Sequence, residues 1–234
     1  MPYAFYAFIS IIIFSLIHLW AEKIQTMTTL SQARFLSFGG GVAIAYVFID
    51  LLPKLAKSND FVEKSFGTFF FLERHVFIMA LMGFLLFFTI ERIPALVEKK
   101  WTQWLPIASY ALFNFFVGYA VVDKNNPEVR PLLFFTFAFA LHYFTNDYSL
   151  SEKQGLLYEQ IGRWLLIFAL ILGGCVGMIV KLSATAVALV SAFIGGGVIM
   201  NVTRHELSET HPNSIKTFLM AAFMYTILLL SIHS

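Results

Sequence analysis

Residues 37–54 read SFGGGVAIAYVFIDLLPK, and residues 193–209 read FIGGGVIMNVTRHELSE. Each stretch opens a helix-length apolar run with three glycines and places an acid eleven residues after the first of them. Superposing the triplets puts Gly39 on Gly195, Val42 on Val198, Asp50 on Glu206, Leu51 on Leu207 and Pro53 on Glu209. Glycines alone say little, because they let any two membrane helices pack closely. The matched acid turns the likeness into a sign of an internal repeat.

Composition says what surrounds these helices. The 234 residues are 59% hydrophobic and 13% charged, with mean hydropathy +0.76. A water-soluble domain carries about 25% charged residues, so lipid is the natural solvent. A span needs about 20 apolar residues. Apolar runs of that order lie at Pro2 to Ala21, Ala33 to Leu52, Phe69 to Ile93, Trp104 to Val122, Pro131 to Tyr148, Trp164 to Val180, Ala184 to Thr203 and Ile215 to His233. Charge, Pro or Asn breaks them, as at Pro53–Lys57 and Ser151–Arg163; Glu73, Arg74 and His75 interrupt the third at an interface.

The expected fold is therefore an all-α polytopic membrane protein of eight transmembrane helices, a single domain over 1–234 embedded in the lipid bilayer. The first run lacks a basic n-region and reads as a retained span, not a signal peptide. The net charge of +2 gives no argument for nucleic acid, and the single Cys175 lies in a span, so no disulfide framework is expected. Odd-numbered loops take nine of the 16 Lys and Arg residues and even-numbered loops seven. The positive-inside rule then puts odd loops in the cytoplasm and both termini outside, in a cytoplasmic (inner) membrane.

A second internal likeness joins ALFNFFVGY at 111–119 to ALHYFTNDY at 140–148. Successive spans alternate direction, so runs two and seven are antiparallel, and so are four and five. The chain reads as a three-helix unit over 1–100, a central pair over 101–160 and an inverted three-helix unit over 161–234. Inverted repeats mark secondary transporters, whose substrate site lies near the midplane at the repeat interface.

GGGVAIAYVFIDLLPK and GGGVIMNVTRHELSE, in this layout, resemble the ZIP family of divalent metal (zinc and iron) transporters. The resemblance implies a ZIP-like inverted 3+2+3 fold, no enzymatic activity, and a divalent metal ion such as zinc carried as substrate by alternating access. It leaves a homodimer open as an assembly state. It also implies a metal centre between runs four and five. Phe113 stands at the first ligand position there, Asn114 is kept, Val117 replaces an acid and Gly118 is kept. In run five His142 is kept, Asn146 stands at the acid position and Asp147 follows one residue later, about 100° round the helix.

The resemblance thus offers His142, Asn114 and Asn146 as metal ligands. Neutral ligands cannot compensate a divalent charge, and zinc takes about four ligands from Cys, His and carboxylate. An alternative is a ZIP fold without the binuclear site, carrying another substrate or serving as a binding or regulatory partner. A zinc-dependent intramembrane hydrolase is more remote. Ionisable groups inside a span read as functional, so the substrate path is expected to pass His142, Asn146, Asp147, Asn114, Asp50 and Glu206. Asp50 and Glu206 are expected near opposite faces, drawing cations in or releasing them, and Asp147 either in the path or at the headgroups. His18 and Glu22 read as an interfacial pair, as do Glu91 and Arg92. His205 and Glu209 share a helix face without completing H-E-x-x-H, and Gly173 with Gly177 reads as a packing face.

Overall fold

Thr28 and Ser183 show how local chemistry starts two of the helices. Each lies in extended backbone, and its hydroxyl accepts the amide N–H of Ser31 or Ala186 three residues on. The computed structural model describes residues 2–66, 74–97, 100–122, 128–207 and 213–233. Among these the regular elements are all helical: α1 (Pro2–Trp20), α2 (Thr29–Tyr46), α3 (Leu52–Phe66), α4 (His75–Leu96), α5 (Trp104–Val122), α6 (Val129–Gln154), α7 (Arg163–Ile179), α8 (Ala184–Glu206) and α9 (Ile215–His233).

The bounds of α5 and α9 coincide with the expected runs, whereas α2 and α6 correct them. The chain does not break at Pro53–Lys57. A π turn over Val47–Leu51 joins α2 to α3, and the Leu52 amide donates to the Val47 carbonyl five residues back. Proline lacks an N–H, and its ring collides with the carbonyl four residues earlier. A widened turn just before Pro53 absorbs that ring while the rod stays helical. Nor does a loop begin at Ser149: α6 continues to Gln154 and stops at Gly155, whose φ of 48° suits glycine. Residues 69–73, at the expected start of the third run, lie outside the described residues.

With α2 and α3 as one rod there are eight rods among the described residues, and six helical stretches are long and apolar enough to cross a membrane. α9 is a shorter apolar helix. α6 spans 26 residues yet is too polar to join the six. The outer surface carries large apolar side chains such as Phe5, Phe168, Phe223 and Leu219, while Asp147, His142, Asn114 and Asn201 are buried. This distribution inverts that of a water-soluble protein and suits a helical membrane protein.

α6 sits inside, packed by α1 and α2 and touched by α5 and α8. Around it α5 runs along α7, α4 along α8, and α2 along α9. Two crossings bring backbone onto backbone: a Cβ on Gly196 would overlap the Ala80 carbonyl, and one on Gly83 the Phe193 carbonyl, so α4 and α8 require glycine at both places. Gly173 and Gly177 pack against α5 as expected, at Phe115 and at Tyr119 and Val122. The bundle has two distinct ends. At one, the Tyr3 hydroxyl donates to the Val121 carbonyl (3.0 Å). At the other, Arg163 pairs with Glu22 (3.0 Å).

Candidate functional site

α6 buries a row of polar side chains: Thr136, His142, Thr145, Asn146, Asp147, Ser149 and Ser151. Lipid would leave such groups without partners, so a helix carrying them belongs in the middle of the bundle. The partners come from the surrounding helices.

The centre of the site is His18, near the end of α1. Its Nδ1 lies 2.5 Å from Asp147 Oδ2 and its Nε2 lies 2.9 Å from Asn114 Oδ1. His18 and Asp147 are each 1% exposed and Asn114 2%. One residue from each of α1, α5 and α6 therefore meets in a single cluster. Proton positions follow from the partners. Asn114 Nδ2 donates to the Tyr110 carbonyl (2.8 Å), which turns its Oδ1 to His18 as an acceptor, so Nε2 carries a hydrogen. The short contact to Asp147 holds one further proton, on Nδ1 or on the carboxyl. Both placements leave the pair neutral overall, as a low-dielectric interior requires. The Tyr158 hydroxyl covers the cluster, 3.5 Å from the His18 carbonyl.

His18 is the residue that sequence reasoning misplaced. The structure buries it on Asp147, and Glu22 pairs with Arg163 instead. Asp147 likewise is buried within the packed bundle. The available signal was an ionisable side chain inside an apolar run, a position that favours the bundle interior. Asn201 of α8 was also missed; its Oδ1 accepts the Tyr110 hydroxyl at 2.7 Å.

A second polar group lies nearby on α6. Asn146 Nδ2 donates to His142 Nε2 at 3.0 Å, which puts the His142 proton on Nδ1. That atom is buried without a hydrogen bond among the described residues. The His142 ring lies 5.8 Å from that of Phe113 and 6.0 Å from that of Phe139. Of the three expected metal ligands, His142 and Asn146 are thus bonded to each other, and Asn114 is engaged by His18. Among the described residues no group of three or more His, Cys, Asp or Glu side chains is arranged to hold a metal ion.

Asp50 and Glu206 lie away from this cluster. Asp50 accepts from Lys54 (2.8 Å) and Glu206 from the Ser37 hydroxyl (3.0 Å). Ser37 and Asp50 share the α2–α3 rod at a separation of about 20 Å by helical rise, so the two acids are near opposite ends. Arg204 pairs with Glu91 (3.1 Å), and His205 Nδ1 lies 3.4 Å from Glu206. Glu209, the other half of the expected pair with His205, lies outside the described residues. Glu91 is more than an interfacial acid, since it also accepts from Lys153 at 2.7 Å.

At the Tyr3 end a cleft of about 160 Å³ runs inward past Tyr3, Glu128 and Tyr46 to Phe135 and Phe139. Those two rings stack at 4.1 Å, and Phe139 stacks on Phe113 at 6.3 Å. His142 lies behind these rings. At the Glu22 end, ion pairs, Arg204 donating to Ser149 (3.0 Å) and Gln25 donating to Ser151 (2.9 Å) tie the helix ends together. In comparison with known proteins, no family model matches the chain and no curated protein matches it.

Proposed function

We propose that this chain is a membrane transporter of ZIP-like three-two-three layout that moves a small cation, a divalent metal first among them, by alternating access along α6. The observation that carries the proposal is the buried polar row of α6, continued onto α1 and α5 through His18 and Asn114. Burying hydrogen-bonding groups in an apolar bundle costs stability unless each finds a partner, and polar groups kept inside spans mark substrate and ion pathways.

The packing supports the inverted layout. Exchanging the first rod with the sixth, second with seventh, third with eighth and fourth with fifth converts the α2–α9 contact into α4–α8. It also converts α5–α7 into α1–α6, and all four contacts occur. Phe113 and His142 occupy the same offset of the two central runs, and their rings face each other at 5.8 Å. A pseudo-two-fold axis between α5 and α6 produces such a self-facing pair.

In this reading Glu128 draws a cation into the cleft at the Tyr3 end, the Phe113–Phe139 stack is the inner gate, and His142 with Asn146 is the first station behind it. Asp147 and His18 form the next station toward the Glu22 end. The test is uptake of zinc into proteoliposomes. His142→Ala is expected to lower the rate at least tenfold, and uptake unchanged by that substitution would remove His142 from the path.

A second reading has one specific observation in its favour: His18 occupies both Asn114 and Asp147, and no three-ligand cluster occurs among the described residues. The same fold then carries a substrate other than a divalent metal, or binds a partner. Metal analysis of the purified protein separates the two. A stoichiometric metal lost in the His142 variant supports the first, and metal-free protein that takes up no zinc supports the second. The same observation weighs against a zinc hydrolase, which needs three convergent ligands and an open position.

A further inference from the structure

At the Glu22 end a second cleft, of about 360 Å³, opens on the outside of the bundle between the ends of α4, α6 and α8. Its wall toward the bilayer interior is apolar: Phe84, Phe88 and Met200. Its outer rim is basic, with Arg92, Lys153 and Arg204 around Glu91, the one carboxylate among the described lining residues. Lys153 and Arg204 both donate to Glu91, at 2.7 and 3.1 Å. Arg92 is exposed and leans over the Phe88 ring, 5.6 Å from its centre.

Among the described residues lining the cleft, one carboxylate stands against three cations and cannot neutralise them all. The carbonyl ends of three helices add partial negative charge here, which accounts for some of the excess but not for its placement beside an open apolar groove. Phe88 is 43% exposed and Leu207, at the groove's margin, 78%. An apolar groove facing lipid with a basic rim at its interface is the arrangement that recognises a lipid with an anionic headgroup. Zwitterionic lipid lacks the net charge that the rim selects. The same end gathers the odd-numbered loops, which the Lys and Arg count assigns to the cytoplasm, the side whose leaflet is anionic.

We propose that this cleft binds an anionic phospholipid of the surrounding bilayer, its phosphate between Arg92, Lys153 and Arg204 and an acyl chain along Phe84 and Phe88. The cleft opens on the outer face of the bundle, and the proposal does not depend on what the bundle carries.

The experiment measures thermal unfolding of the detergent-purified full chain with added phosphatidylglycerol, phosphatidylcholine or inorganic phosphate, and counts retained lipid by native mass spectrometry. Phosphatidylglycerol is expected to raise the midpoint and to remain bound, while phosphatidylcholine and inorganic phosphate do neither. Arg92→Gln with Lys153→Gln is expected to weaken phosphatidylglycerol binding about thirtyfold, the effect of two basic contacts at a membrane surface. Because Lys153 also pairs with Glu91, Arg92→Gln alone is the second variant; its exposed side chain makes no bond to Glu91 in the structure, and about a fivefold loss is expected. An equal midpoint shift with phosphatidylcholine overturns the proposal. So does a shift reproduced by inorganic phosphate, or lipid binding that survives Arg92→Gln undiminished.

Discussion

Replacing His18 and Asp147 by leucine, singly and together, tests the centre of the site. His18→Leu removes the imidazole that shares a proton with Asp147 and leaves the buried carboxyl without that partner. Removing one member of a buried pair costs about 3 kcal/mol. Asp147→Leu leaves His18 its bond to Asn114 but strands Nδ1 in an apolar wall, at about 2 kcal/mol. The double variant removes both polar groups and puts similar volume in their place, which is often close to neutral. The double variant should therefore be more stable than the two single losses predict. The single losses together reach about 5 kcal/mol while the double variant stays near neutral, so the expected coupling is about 5 kcal/mol, well above the average of about 0.6 kcal/mol for interhelical hydrogen bonds in a membrane, because this contact is ionic or proton-sharing. The assay is reversible denaturation of the four proteins in mixed micelles, with the pairwise term taken from the cycle. Additive single losses, leaving a coupling below about 0.5 kcal/mol, would refute the argument that the two residues act as one neutral unit.

Two further predictions follow from the geometry. Gly196→Ala places a methyl on the Ala80 carbonyl and should destabilise the bundle by about 1–3 kcal/mol, whereas Gly195→Ala meets only the flexible end of Leu51 and should cost less. Equal losses in the same denaturation assay would mean that α4 and α8 do not cross where the structure has them. Phe113→His aims a second imidazole at His142 from 5.8 Å and, if the central helices are ZIP-like, should raise zinc affinity at least tenfold. Calorimetry showing no gain would argue against a metal path between α5 and α6.

The sequence makes the spans legible because lipid leaves one strong signal, long apolar runs, and the ends of α5 and α9 fall where those runs end. It misses the continuation of α2 into α3 because Pro53 reads as a stop, and only the π turn lets the rod pass it. It misses the last turns of α6 because Ser149 and Ser151 look like loop residues, yet each finds a partner inside the bundle. His142, Asn146 and Asp147 stand out as polar groups in an apolar run. Their grouping does not, since the link from Asp147 to Asn114 passes through His18, 129 residues from one and 96 from the other. Periodicity sees faces of one helix, and a contact at that separation belongs to the tertiary packing.

The polarity of α6 has a consequence for how the protein is made. An aspartate opposes entry of a helix into the bilayer, by about 2.5–3.5 kcal/mol at the helix centre and less toward its ends; Asp147 lies in the last third of α6, which is not apolar enough to count as a span by itself. Its partners, His18 in α1 and Asn114 in α5, lie earlier in the chain. Synthesis from the N-terminus therefore puts the groups that receive Asp147 in the membrane before Asp147 emerges. The late helix can enter alongside docked neighbours, so that the polar contacts of the finished bundle also act as its insertion scaffold.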